Sequence, residues 1–203
     1  MDKMTEQSVR SLRRHQMKDV TDKRSALLQA ALELFAQNGF DGSPTAQIAK
    51  RAGVASGTLF LYFKNKEELI HELFQEVNQQ LENITAPCLA EDIPIQEKLI
   101  NTLSSALRYL LDNPKEFKFV EQYHFSPLKE RANLPDGSKE HFREFLRVAQ
   151  EQKIVKDAPL VVLEAIAFGP ISFLVKEHAS RGTPVDEEMI QLVVRACWDG
   201  LKR

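Results

Sequence analysis

Between Thr45 and Lys66 the chain sets hydroxyls, small residues, aromatics and lysines in an order suited to a polyanionic surface. Thr45 and Ser56 fall at the starts of two expected short helices, where a hydroxyl can accept from free backbone N–H groups. Gly57 and Thr58 follow in the first turn of the second helix. Small side chains there allow close backbone approach, and a helix N-terminus favours phosphate through its free N–H groups and dipole. Lys64 and Lys66 can neutralise further phosphates. This is binding chemistry, not bond-making chemistry. The sequence holds no nucleophile elbow, no phosphate-cradling glycine loop and no histidine pair at metal spacing among its five histidines. Glu121 and His124, three apart on one expected helix, are the best acid–base pair, and they have no recognisable third partner. The expectation is a non-enzyme with no catalytic residue, no metal and no cofactor.

The elements that hold these residues follow from local patterns. Ile48, Ala49 and Ala52 recur at helical spacing, opposite Gln47, Lys50 and Arg51. Gly53 suits the turn that ends this helix, because it adopts positive φ without a Cβ clash. Val54 should pack inward. Leu59 and Phe63, four apart, should face the core, while Phe60, Leu61 and Tyr62 project elsewhere. Asn65 with Glu68 forms a variant capping box that opens the next helix. Residues 44–63 thus read as a helix-turn-helix, whose second helix suits a DNA major groove.

The segment from Thr21 to about Leu81 resembles the DNA-binding domain of the TetR family of transcriptional regulators (TetR/AcrR type). The likeness rests on FAQNGF, on I-A-x-x-A-G-V from Ile48 to Val54, on G-T-L-x-x-Y-F from Gly57 to Phe63 and on K-x-K-E-E-L from Lys64 to Leu69. It implies a homodimer on a palindromic double-stranded DNA operator, with repression the family's usual mode and a small-molecule effector as the release signal. It also implies roles for residues. Thr45 donates to a phosphate, and Ser56, Gly57 and Thr58 lie nearest the groove floor. Tyr62 and Lys66 hold phosphates on either side, and Leu61 can reach a thymine methyl. The family commonly has tyrosine where this chain has Phe60, so one phosphate hydrogen bond is lost. Few residues here offer direct base readout, so backbone contacts and DNA shape gain weight.

Charge distribution agrees with this division. Residues 1–66 hold 11 Lys and Arg against 6 Asp and Glu, whereas residues 67–203 hold 16 against 23. Cys88 and Cys197 have no metal spacing and suggest free, partly buried thiols. No apolar run reaches the ~18 residues of a membrane span, and no signal-peptide h-region precedes the first helix. The expected compartment is the cytoplasm. Residues 1–20 form a basic extension carrying Arg10, Arg13, Arg14 and Lys18. It reads either as a frayed tail or as an arm that follows DNA.

The expected fold class is all-α. A three-helix DNA-binding domain spans 21–81, and a helical ligand-binding and dimerisation domain spans 82–203. Helix one should run from about Asp22 to Asn38, with Leu27, Ala30, Ala31, Leu34 and Phe35 as its stripe. Helix four should run from Lys66 to about Ile84, stopping before Pro87. Further helices are expected at about Pro94–Leu111, from an Asn113 cap with Pro114 in the first turn, and at Lys139–Gln152, with a loop at Leu134–Ser138. Pro159–Ser180 should kink at Gly169-Pro170, and Asp186–Lys202 closes the chain. These last two helices are apolar enough to suggest a four-helix bundle between two copies, the alternative being an intramolecular core. The resemblance places an effector among helices four to seven or eight. Candidate lining residues are Tyr109, Phe117, Glu121, Tyr123, His124, Phe125, Phe142 and Phe168, each of which could equally be plain core or surface. For His124 a hydrogen-bonded core position is the default. A helical enzyme or an adaptor that kept the fold without binding DNA remains the other reading.

Overall fold

A computed structural model describes residues 22–132 and 140–203, with the side chains of 130–132 left aside. The basic extension at 1–20 and the loop at Leu134–Ser138 lie outside the described residues. Those described are mostly helical and contain no strand; one isolated antiparallel bridge pairs Val155 with Lys202. Two compact units divide between Phe74 and Gln75.

The first unit begins with α1, residues 22–38. Its stripe of Leu27, Ala30, Ala31, Leu34 and Phe35 is buried as expected. Gly39 stops it at φ +73°, and Phe40 folds back to meet Phe35 edge-on at 5.2 Å. Next come α2 (Thr45–Arg51), a 3-10 turn (Ser56–Thr58) and α3 (Leu59–Tyr62). Then α4 (Lys66–Ala90) starts in this unit and continues into the second. Ile48, Ala49, Leu59, Phe63, Leu69, Ile70, Leu73 and Phe74 complete this core. Arg24 of α1 pairs with Glu72 of α4, and its guanidinium sits 5.7 Å from the Phe63 ring centroid.

Pro87 does not end α4, contrary to the sequence expectation of a stop near Ile84. A proline removes one hydrogen bond, here the one to the carbonyl of Asn83 four residues back. Pro87 and Asn83 are both exposed, so water can satisfy that carbonyl and the helix carries on to Ala90.

The second unit contains the rest of α4, α5 (Ile95–Asp112), α6 (Pro114–His124), α7 (Pro127–Ala132), α8 (Glu140–Glu151), α9 (Leu160–Arg181) and α10 (Glu187–Leu201). Helices α5, α9 and α10 pack together around Leu99, Leu103, Leu163, Val175, Val194 and Trp198. Asp186 caps α10 by accepting from the Met189 N–H at 2.9 Å, and Gly182 ends α9 in the left-handed region at φ +67°. Pro170 lies inside one continuous α9. Asn113 precedes α6 but does not cap it with its side chain. Its amide instead donates to the Tyr109 carbonyl at 2.8 Å, closing the end of α5. Beyond α10, Arg203 N–H donates to the Ile154 carbonyl and Lys156 N–H to the Leu201 carbonyl, which clips the 154–156 loop to the final turn.

Candidate nucleic-acid interface

The turn between α2 and the 3-10 segment is fixed by backbone alone. Gly53 sits at φ +72°, its N–H donates to the Lys50 carbonyl, and Val54 N–H donates to the Ala49 carbonyl. This is the Schellman pattern, and it needs a residue that tolerates the left-handed region. Two expected caps are corrected. Thr45 is the first helical residue of α2, and Pro44 holds the cap position without a side-chain bond. Ser56 likewise lies inside the 3-10 turn, after Ala55. At Thr45 the reason is that Pro44 pre-sets the extended backbone that a capping residue would otherwise select; at Ser56 the extended residue is Ala55, and no side chain caps the turn. The hydroxyl that does work locally is that of the buried Ser43, which donates to the Gly39 carbonyl at 2.8 Å.

Leu59 and Phe63 are fully buried and anchor α3. Its outer side presents Ser56, Gly57, Phe60 and Leu61 exposed, with Thr58 and Tyr62 partly exposed. Leu61 is 82% exposed and Phe60 53%. A Cβ at Gly57 would meet no atom within 4 Å, and its φ is not positive, so nothing in the chain requires glycine there. Exposed Lys50 on α2 and Lys64 beyond α3 flank this surface. The sequence places Lys50 only on a polar face, and its position opposite buried Ile48 and Ala49 is the signal that could mark it. Lys64 is 3.6 Å from Glu68. Lys66 donates to the Phe40 carbonyl, which orients its ammonium back toward the end of α1. Arg51 is held by Glu33 at 2.6 Å. The capping box forms in modified shape: Asn65 accepts from Glu68 N–H at 2.8 Å, while Glu68 accepts from Lys64 N–H in place of the Asn65 N–H.

Residues 27–73 match the family described as "Bacterial regulatory proteins, tetR family", and residues 94–202 match "Tetracyclin repressor-like, C-terminal domain". The chain belongs to the tetR family of bacterial regulatory proteins. It is 40% identical over 88 residues to the fatty acid metabolism regulator protein of Bacillus subtilis (strain 168), covering 43% of this chain and 45% of that one. The chain spans about half the length of the curated relatives it matches. Among solved structures it resembles a TetR family transcription regulator from Marinobacter aquaeolei VT8, with TM-score 0.82 and 24% identity over 92% of this chain and 100% of that one. It also resembles FadR of Bacillus subtilis, solved in complex with stearoyl-CoA, with TM-score 0.72 and 24% identity over 87% and 98%. The family is one of regulatory proteins rather than enzymes.

The candidate effector residues of this TetR-family chain fall into separate groups. Phe117 and Phe142 are buried in the second core, with Phe168 packed on it; the Phe142 and Phe168 rings lie 4.7 Å apart. Tyr109 hydrogen-bonds Glu116 and, at 2.9 Å, Gln80. Burial, then the Glu116 carboxylate, pushes the Tyr109 phenol up from its ordinary pKa. Burial also raises the Glu116 carboxyl, with the negative charge of Glu76 adding and the Tyr109 hydrogen bond opposing. Tyr123 is buried. His124 is not core: it is half-buried, and its Nδ1 lies 3.1 Å from Lys129 Nζ. Glu121 is half-buried, and its carbonyl accepts from Phe125 N–H. Phe125 is 88% exposed and lines no enclosed space. Its position just past the last turn of α6 turns the ring outward, which aromatic content alone could not reveal. A cleft of about 430 Å3 opens elsewhere, between Arg147, Gln150, Lys153, Asp157 and Arg203, and none of the eight candidates lines it. Among the described residues no group of His, Cys, Asp or Glu could hold a metal, and no helix is long and apolar enough to cross a membrane.

Proposed function

We propose that this protein is a ligand-responsive transcriptional regulator of the cytoplasm that grips a palindromic operator as a homodimer. The observation that carries the reading is the outer side of Ser56–Tyr62, which is bare at Gly57, rich in hydroxyls and flanked by lysines. Thr45, Ser56, Gly57, Thr58, Phe60, Leu61 and Tyr62 meet the DNA, with Lys66 and Lys64 at its edge. Residues 21–81 act as the reader and 82–203 as the sensor and dimerisation part. Val161, Val162 and Phe173 of α9 and Leu192 of α10 are exposed apolar side chains, which supports pairing of two copies through these helices. A two-fold dimer presents its reading helices about 34 Å apart, one DNA turn, or at a multiple of that.

The effector binds among the second unit's helices, with Phe117, Phe142 and Phe168 as apolar contacts and Tyr109 as a polar one. It releases DNA only if it binds the non-DNA conformation more tightly. Helix α4 is one continuous element from the reader into the sensor, which supports it as the transmitter. The relatives concerned with fatty acids make an acyl compound the effector class to test first. Gel retardation of the upstream intergenic DNA, with and without stearoyl-CoA, tests both halves of the reading. Specific, salt-sensitive retardation is expected, relieved by the acyl compound. Loss of salt dependence, or no retardation, overturns the regulator.

A further inference from the structure

Residues 52–63 contain no Arg, Lys, Asn, Gln, Asp or Glu. The outer side of α3 and of the turn that leads into it therefore lacks every side chain that makes a two-pronged hydrogen bond to a base edge. The hydroxyls of Ser56, Thr58 and Tyr62 can donate or accept, so they discriminate poorly among bases. What the surface offers instead is apolar area. Leu61 is 82% exposed and Phe60 53%, on neighbouring positions of a helix anchored by buried Leu59 and by buried Phe63 at its C-cap, with Tyr62 partly exposed beside them. Gly57 lies four residues before Leu61 with open space where a Cβ would stand, so a flat surface can approach Leu61 closely. Exposed Lys50 and Lys64 at the margins favour a polyanion as the occupant.

In a DNA major groove the apolar feature of a base pair is the 5-methyl group of a pyrimidine. We propose that Leu61 and Phe60 make α3 a reader of pyrimidine 5-methyl groups, one that scores thymine and 5-methylcytosine alike. The inference rests on the DNA-binding reading above and adds the feature read. The two methylpyrimidines differ at position 4, an acceptor in thymine and a donor in cytosine. Only ambivalent hydroxyls face that edge, so the methyl decides. The protein would then respond to cytosine methylation wherever a cytosine replaces an operator thymine.

The test uses the full chain and the duplex it enriches most strongly from a random-sequence pool. That duplex is resynthesised with deoxyuridine in place of each thymine in turn. At the positions read by α3, loss of one methyl should weaken binding about fourfold, and about fifteenfold when both half-sites change. Replacing such a thymine by cytosine should weaken binding, and 5-methylcytosine should restore about fourfold per site. Leu61→Ala and Phe60→Ala, at exposed positions, should fold normally and remove the difference between thymine and deoxyuridine. A deoxyuridine penalty that survives in both variants would assign the effect to DNA stiffness and overturn the proposal. So would binding indifferent to every thymine methyl, or no gain from cytosine methylation. If the pool yields no salt-sensitive duplex at all, the DNA-binding reading itself fails, and the apolar pair is a protein-docking surface.

Discussion

Two glycines, one in each unit, answer to different constraints. A Cβ at Gly200, in α10, would stand 2.8 Å from Ile166 Cγ2 of α9, so packing inside the protein excludes a side chain. A Cβ at Gly57 would stand in open space. The same contrast separates the larger residues of the α5–α9–α10 core from those on the outer side of α3. In the second unit Trp198, Leu163 and Val194 are spent on the core. In the reader, Phe60 and Leu61 are left outside while Leu59 and Phe63 hold the helix in place. The α5–α9–α10 core is shaped by its own packing, whereas the outer side of α3, like exposed Val161, Val162, Phe173 and Leu192 of the second unit, is shaped by a surface it has yet to meet. Substitutions that separate stability from binding can break this contrast.

The largest effect should come from two aromatics three apart, Phe60 inside α3 and Phe63 at its C-cap. Phe63→Ala removes a ring that is 1% exposed and should cost about 3–5 kcal/mol of unfolding free energy. Phe60→Ala should stay within ~0.5 kcal/mol yet weaken DNA binding. Urea denaturation beside gel retardation reads both. Equal destabilisation by the two variants would mean that Phe60 belongs to the core.

Next comes the glycine pair. Gly200→Ala should destabilise by on the order of 1 kcal/mol, because Ile166 is β-branched and moves aside poorly. Gly57→Ala should leave stability unchanged or raise it by up to ~1 kcal/mol, since alanine loses less entropy in a helix. Affinity for DNA should nevertheless fall. Unchanged affinity would remove the case for close approach at Gly57.

What the sequence made legible differs between the regions for the same reason. Gly53, Leu59, Phe63 and the Asn65/Glu68 box act through neighbours in sequence, so spacing alone places them. The cap at Thr45 failed by one residue because Pro44 does the work expected of it, and the one at Ser56 because Ala55 holds the extended position there. Pro87 misled because a proline on a helix's exposed side loses one bond while the rest of the helix remains packed. In the second unit the aromatics share one composition but not one fate. Phe142 is buried and Phe125 lies in solvent. The difference is set by contacts between α8 and α9 and by the end of α6, neither of which is encoded locally.

A smaller effect tests backbone strain in the second unit. Lys153 ends α8 at φ +59°, the one described non-glycine residue in that region. Its N–H donates to the Gln150 carbonyl and Ile154 N–H to the Ala149 carbonyl, the same Schellman pattern that Gly53 serves in the reader. Lys153→Gly should therefore stabilise by about 1 kcal/mol. A loss instead would mean that the lysine side chain contributes at the neighbouring cleft.

The smallest effect is a slope with pH. Burial, reinforced by Glu76, holds the Glu116 carboxyl above its ordinary pKa, and the Tyr109 hydrogen bond only partly opposes this. The folded state therefore keeps the proton to higher pH than the unfolded chain does. Below the ordinary carboxylate range both states are protonated and Glu116 imposes no penalty. As pH rises through the raised value, stability falls, because folding must then hold a half-buried charge. Glu116→Gln keeps an acceptor for Tyr109 and cannot ionise. It should match the native protein in acid, exceed it near neutrality, and lose that part of the slope in denaturation midpoints. A slope that persists unchanged would assign it to other carboxylates. The disappearance of the slope would show that the second unit, too, holds a side chain whose environment packing alone does not favour. The contrast with the reader would then lie in where each unit keeps its unfavourable group, exposed in one and half-buried in the other.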